Sequence, residues 1–596
     1  MSVRIEKNDI VIEVDLDGIA DSPHLGTADL RSVNIGTVPG EASVNYKTVP
    51  MSTPPTVTAL AYTVNTTTDT FTVASTTGWF NGMAIFLNTI VTSTGITINR
   101  PYWIGDLTAT TFRLYKSPSI AVAGLIDVTG SNGSGTLTTY VMTALIDKAA
   151  YRETSTGSTG LQLNSVLFLD SEGKVWWANN NDGVPADNMV YIGNTTLTST
   201  NNKGRGITMF RNYLIVFRHN TMDALNMNLL INAATDLTTA WTYGWESISG
   251  VNETVRASKV GQDDIMYYYN SNSRLGSISE NTGSSFNPAS GATYTENTSA
   301  IDLPDSTVIL SIGELGQNLL IGTDNNKVYP WDRISPSFDL PIELPEDRIK
   351  KIISVNSTAY MLAGGRGRIY ETAGSVAAEW KKIPDHISGK FEPYYTWGDV
   401  EINRGQMFVS FTASENDGTA INTMGGVWAI DLKTKALRQI HQLSHGNGGS
   451  VGVIQKNIYT ATPAGTGLYA GWTNSAGTSF GIDTGSSLPY SGGETIIETE
   501  IIPIGNYTFN VTPSQYEFKL SRPLVDGESI ELLARTNLTE SYISAGVCNT
   551  AGALSDEFSA TTGLENTQWI QMKAILTSTN TTPSRVPLKQ FRISTP

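Results

Sequence analysis

The sequence predicts an all-β protein: a β-propeller of about six to eight blades, an inserted small β-domain and a C-terminal β-sandwich. The first observation behind this is a series of apolar hairpins. Ser165–Leu169 pairs with Lys174–Ala178 across a turn at Asp170–Gly173, and the same grammar returns at Tyr213–Phe217 with Met222–Asn226. It returns again at Ile265–Tyr269 with Arg274–Ile278, at Leu319–Gly322 with Lys327–Trp331, and at Ala359–Ala363 with Arg368–Glu371. Two looser versions follow, Met407–Phe411 with Gly426–Asp431, and Val451–Thr460 with Gly467–Gly471. Each arm is rich in β-branched and aromatic residues and is bounded by Gly, Asn, Asp or Ser, as hairpin strands are. The hairpins start every ~40–55 residues, the spacing of a blade that adds an outer pair of strands to each hairpin. The second observation is composition: 55 Gly and only 16% charged residues in 596 suit many short strands and tight turns. The third is a change to longer strands near residue 491, with no long amphipathic helix anywhere.

Taken in order, residues 4–14 alternate and are β-branched, and read as a strand. Residues 17–50 carry two Pro turns around isolated apolar stretches. They read either as an extended arm that packs across something else or as a leader strand that closes a propeller. Residues 1–50 are therefore set apart as an N-terminal strand and extended arm, and Met51–Thr56 as a linker within 51–141, the inserted small all-β domain. Its strands include Thr70–Val73, Met83–Leu87, Tyr102–Ile104 and Thr111–Tyr115, with an exit strand at Thr136–Tyr140 after the Gly-Ser tract Gly130–Gly135. The propeller takes 142–490. Its strand aromatics (Phe168, Trp176, Tyr268, Trp331, Tyr360, Trp428, Tyr459, Trp472) are most simply blade-to-blade packing, with a glycan-stacking platform as the alternative. The sandwich takes 491–596, with strands at Thr495–Ile504, Gln515–Leu520, Ser529–Arg535, Gln568–Thr577 and Leu588–Ile593.

Charge and composition exclude several function classes. The net charge is −16, and an acidic surface repels phosphate, so a dedicated nucleic-acid grip is not expected. One cysteine, Cys548, forms no intrachain disulfide or thiolate cluster, and five scattered histidines are thin for a metal enzyme. No stretch approaches the ~18 apolar residues that span a bilayer as a helix, and the N-terminus has no apolar leader core, so the expectation is a protein made in a cytoplasm.

No motif carries chemistry. Gly448–Gly452 and Gly477–Gly481 match the serine-hydrolase elbow in letters, but neither precedes a helix and no His lies beyond His445. Asp170–Trp176 is the nearest approach to a sialidase box, and it lacks the leading Ser. Asp263-Asp264 reads as solvated turn acids rather than a glycosidase pair. Asn179–Gly183 lacks calcium-loop spacing and the distal Glu. Arg211, Tyr213, Arg218 and His219 form too small a basic-aromatic cluster for a nucleic-acid surface. The expectation is no catalysis, no cofactor and no metal.

Two stretches carry a resemblance. Asp69–Val73, Gly78–Met83, Thr111–Tyr115 and Gly133–Thr138 resemble, in order, the strands of small β-modules inserted in phage tail and fibre proteins. The order Gly18-Ile19, Pro23, Arg31, Asn34, Pro39-Gly40 and Lys47 resembles the N-terminal arm of bacteriophage tail nozzle proteins of the tail tubular B type, whose arm precedes a propeller-bearing chain. One Gly stands where those proteins have two, and Lys47-Thr-Val-Pro50 replaces their Arg-Pro. The resemblance implies a virion structural protein: a ring of six copies forming part of the DNA-ejection conduit, with Gly18, Ile19, Pro23, Arg31, Asn34, Pro39, Gly40 and Lys47 as an assembly arm. Its implied partners are the portal or adaptor, other tail proteins and tail fibres, with viral DNA passing non-specifically through the channel. Its implied location is the phage tail, assembled in the host cytoplasm. A host-surface glycan-recognition fibre or spike module is the alternative; exposed tryptophans such as Trp177 would then bind sugar.

Overall fold

The computed structural model describes residues 2–6, 9–15, 35–38, 41–44, 46–118, 120, 122–152, 164–179, 188–193, 203–230, 236–251, 256–271, 273–383, 392–403, 405–415, 417–419, 421, 426–433, 435, 437–441, 450–456, 468–474, 476–489, 494–498, 502–504, 510–520, 522–537, 540–559, 562–578 and 588–595. The fold is all-β and propeller-based. Its described residues form seven four-stranded antiparallel sheets, a closed six-stranded barrel, and two further sheets of seven and five strands.

The seven four-stranded sheets begin at Leu145–Arg152, Gly206–Phe210, Ser258–Val260, Ile309–Leu315, Lys351–Val355, Tyr394–Asn403 and Ser450–Lys456. These first strands neighbour one another in sequence order, and the seventh neighbours the first, so the sheets close into a ring with the first strands innermost. The ring leaves only short inner edges, shielded by the neighbouring blades. In six blades the apolar hairpin supplies the second and third strands, because the middle strands are covered on both faces and must be apolar throughout. Tyr213–Phe217 and Thr221–Asn226 illustrate this, with Leu214, Phe217, Met222 and Leu225 fully buried. The last hairpin differs from the sequence reading: Ser450–Lys456 and Leu468–Thr473 are the first and second strands of their blade, and Phe480–Pro489 is the third.

The seventh blade takes its fourth strand, Tyr46–Pro50, from the N-terminal region, with Val49 opposite Thr484 and Pro50 opposite Asp483. The leader-strand reading therefore describes residues 46–50. The other described strands of the N-terminal region belong to a sheet shared with the C-terminal region. Ser2–Glu6, Asp9–Asp15, Ile35–Val38 and Glu41–Val44 join Gln515–Leu520, Ser555–Ser559 and Leu588–Thr595 in the seven-stranded sheet. Asp9–Asp15 pairs along its length with Leu588–Thr595 near the other end of the chain. The boundaries drawn at residues 50 and 491 thus divide two sheets that the fold holds together, because the pairings are non-local and leave no local signal. Tyr516, Phe518 and Ile593 from this sheet pack with Ile530, Leu532, Met572 and Leu576 from the five-stranded sheet into one apolar core.

Between the closing strand and the first blade, residues 60–139 form the barrel. Phe71, Ile85, Leu87, Tyr102, Ile104, Phe112, Leu114 and Leu137 fill it. Gly135 is required there: a Cβ would stand 2.0 Å from the Thr89 carbonyl oxygen, under the Tyr62 hydroxyl that donates to that oxygen at 3.0 Å. The barrel is docked on the propeller. Trp103 Nε1 donates to the Tyr191 carbonyl at 2.8 Å, Tyr140 stacks on Tyr191 with centroids 4.0 Å apart, and Arg100 pairs with Asp236 at 2.5 Å.

Candidate functional site: a charged network across the propeller axis

The axis of a propeller is where inner-strand side chains from different blades meet, so it is the first place to look for a site. Here it gathers ionic groups. Asp147 and Lys148 lie on the inner strand of the first blade, Lys351 on that of the fifth, and Asp399 and Glu401 on that of the sixth. Lys148 Nζ lies 3.1 Å from Asp399 Oδ2 and 2.9 Å from Glu401 Oε2, while Lys351 Nζ lies 3.2 Å from Asp399 Oδ1. The first blade's inner strand neighbours those of the second and seventh blades, so a contact to the sixth reaches across the ring. Asp147 accepts from the Ile207 amide of the second blade at 2.8 Å.

The electrostatics follow from burial and pairing. The Asp399 side chain is 3% exposed and that of Lys148 14%. Burial alone would lower the lysine's pKa, but the Asp399 and Glu401 carboxylates outweigh it and hold Lys148 well above its ordinary value. Lys351 is raised on the same balance, burial opposed by Asp399 and Asp147. Asp147 is pushed up, chiefly by burial. Two ammonium groups thus face two carboxylates in partly desolvated surroundings, where the attraction is stronger than at a surface and an unmatched charge would be costly. The chemistry this permits is cross-linking: it ties the first, fifth and sixth blades together across the ring.

A second clasp joins neighbouring blades. Arg256, 1% exposed, donates to the carbonyls of Tyr269, His219 (2.7 Å) and Ser249 (2.8 Å), bridging the second and third blades. Asp170 closes the turn of the first hairpin, accepting from Trp176 Nε1 at 2.9 Å and from the amides of Thr143, Glu172 and Lys174 at 3.2, 3.0 and 2.9 Å.

Of the assembly-arm residues, Gly18, Ile19, Pro23, Arg31, Asn34, Pro39 and Gly40 lie outside the described residues, and Lys47 is on the closing strand of the seventh blade. Of the strand aromatics, Phe168, Trp176, Tyr268, Trp331, Tyr360, Trp428 and Trp472 are buried, and Tyr459 lies outside the described residues. Trp177 is not exposed but 4% accessible in the core of the first blade, so it is no sugar platform. Asp263 and Asp264 are exposed turn acids, as expected; Asp263 also accepts from the Tyr267 hydroxyl at 2.7 Å and faces Arg333 at 3.6 Å. Ser479 sits in a hairpin turn, its amide donating to Asn474 Oδ1 at 3.0 Å, and follows no elbow. Gly448 and Gly449, like Asn180–Gly183, lie outside the described residues. Among the described residues, no three His, Cys, Asp or Glu side chains come together to hold a metal, and no helix is long and apolar enough to cross a membrane. The axial network escaped the sequence reading because Lys148 lies 253 residues from Glu401 and each member alone looks like an ordinary strand charge; the adjacent pairs Asp147-Lys148 and Lys350-Lys351 at blade starts were the available signal.

No protein-family model matches the chain, and no curated protein matches it. Similar solved structures include the computationally designed Ika8 protein (9% identity, TM-score 0.32, 58% of this chain and 96% of that one). They include YCF48 bound to D1 peptide (8%, 0.36, 58% and 94%) and Raptor of Chaetomium thermophilum (9%, 0.37, 58% and 28%).

Proposed function

We propose that the chain is a structural component of a bacteriophage tail, one subunit of a nozzle or tail-tube ring of about six copies. In this role it forms part of the DNA-ejection conduit and a platform for neighbouring tail proteins and fibres. The order of the arm residues and of the barrel strands supports the family reading. The observation that carries the mechanical reading is the network Lys148–Asp399–Lys351 with Glu401, which braces the propeller across its own axis. Bracing of this kind suits a wall that must keep its shape while a genome passes.

On this proposal the conduit is the space enclosed by the copies, not the axis of any one propeller, which the ion pairs cross. A net charge of −16 per copy then has a use, since carboxylates facing the passage repel phosphate and leave DNA free to slide. Repetition of one heterologous contact closes such a ring. Immunogold labelling of intact virions with antibody to this chain is the test of location: label confined to the tail is expected, and virions that carry no label contradict the proposal.

A further inference from the structure

We infer that an exposed arginine-bearing knuckle on the fifth blade is the surface by which one copy of this chain grips the acidic surface of the next. This rests on the ring reading and names a contact that would close it.

The fifth blade reverses the charge of the chain. Residues 344–382 hold seven Lys and Arg against four Asp and Glu, which leaves the remainder of the sequence at −19. Two of the cations, Arg348 and Arg366, are exposed, and neither side chain has an ion-pair partner among the described residues. They come from different segments, the connection leading into the blade and the turn between its second and third strands. A buried carboxylate fastens the two. Glu346, 8% exposed, accepts at Oε2 from the amides of Gly365 (3.0 Å) and Arg366 (2.9 Å) and at Oε1 from the Tyr370 hydroxyl (2.8 Å). The Gly364 amide donates to the Asp347 carbonyl at 2.8 Å, and Gly364 and Gly367 take the φ values of +58° and +69° that the tight turn needs.

An aromatic completes the patch. Tyr394 is 55% exposed and lies so close over Gly365 that a Cβ there would meet its ring at 2.2 Å. The Tyr395 amide fixes the approach by donating to the Gly365 carbonyl at 2.8 Å. Lys350 is engaged elsewhere: its ammonium donates to the Trp397 carbonyl, and burial first, then the charges of Lys351 and Arg348, lower its pKa against the pull of Asp399. Arginine with an exposed tyrosine on a rigid turn is the composition of a protein-contact hot spot. A partner of opposite sign is supplied by the chain itself, whose remaining sequence carries a net charge of −19. DNA, by contrast, would have to approach a body of net −16 to reach two arginines on a turn.

The test uses the full-length chain, with Arg348→Glu/Arg366→Glu and the milder Arg348→Gln/Arg366→Gln, each checked for an unchanged circular dichroism spectrum. Should the reversed pair fail to fold, the Gln pair supplies the reading. Self-association is followed by sedimentation velocity between 50 and 500 mM salt, settings chosen to change screening from weak to strong. The wild type is expected to associate at low salt and weaken as salt rises; the reversed pair should associate at least tenfold more weakly, with the Gln pair between. Reversed and wild-type chains that assemble equally well overturn this inference and leave the ring proposal standing. A wild type that stays monomeric at every salt overturns both. Retention of duplex DNA by the wild type, lost in the reversed pair while self-association is unchanged, overturns it in favour of a nucleic-acid surface.

Discussion

Replacing Lys148 with methionine tests whether the axial network braces the propeller. Methionine keeps most of the length and removes the charge, so the Lys148 pairs to Glu401 and Asp399 are lost while the Lys351–Asp399 pair at 3.2 Å stays. Breaking a buried ion pair by removing one partner costs about 3–5 kcal/mol. Retention of Lys351, and the 25% exposure of the Glu401 side chain, bring the expectation down to about 2–3 kcal/mol. The matched control is Arg274→Ala. Arg274 pairs with Asp302 at 3.4 Å, but both side chains are more than half exposed, so the change should be under about 1 kcal/mol. Urea unfolding followed by tryptophan fluorescence reads both, since the blades carry buried Trp176, Trp397 and Trp428. The pH dependence has a definite sign. The folded-state pKa of Lys148 lies above its unfolded value, so its stabilisation is complete below about pH 10.4 and is lost as pH rises through the folded value. The gap between wild type and Lys148→Met should therefore hold from pH 6 to 9 and shrink only in strong alkali. A variant that unfolds at the urea concentration of the Arg274→Ala control would refute the reasoning.

Four further outcomes follow from the same structure. Asp170→Ala leaves the Trp176 indole and three backbone amides without their shared acceptor and should cost about 3 kcal/mol or more, read as a lowered urea midpoint. Trp177→Ala should destabilise by about 3–5 kcal/mol, since the side chain is 4% exposed; a variant that stays fully stable and only loses sugar binding would revive the glycan reading. Glu296 accepts from Tyr268 at 2.6 Å, and burial, with Glu246 beside it, pushes its pKa up. Its ionised form is thus disfavoured in the fold and stability falls as pH rises through the folded value, so Glu296→Gln should raise the urea midpoint at pH 7.5 and leave it unchanged at pH 3. Val49→Cys with Thr484→Cys, opposite one another in the seventh blade, should form an intrachain disulfide that speeds migration on a non-reducing gel; disulfide-linked dimers would show that the closing strand is exchanged between copies.

The hairpins were legible because each is a local object: ten to fifteen residues of strand, turn and strand carry their own pattern, and six of them fall on the second and third strands of a blade. Local pattern could not say that the seventh hairpin is shifted by one strand, since its blade is finished by Tyr46–Pro50 from more than 400 residues away. The alternation over residues 4–14 suggests one strand, where the fold has two, Ser2–Glu6 and Asp9–Asp15, paired antiparallel; the second one's other partner, Leu588–Thr595, carries no mark of that pairing. Trp177 looked available because strand tryptophans alternate in facing; in a blade covered on both sides, neither facing is solvent. The ionic groups were the least legible. Lys148, Lys351 and Asp399 become one network only through ring closure, and the segments that carry Arg348 and Arg366 are joined through Glu346, which no local pattern announces.

On the proposed function, copies of this chain close into a ring around a passage. Negative-stain images of the purified 596-residue chain, alone and with phage tail proteins added, test this most directly. The account predicts closed rings of about six copies with a stain-filled centre. Particles of single-copy size at high concentration, with no rings on addition of tail proteins, would contradict it.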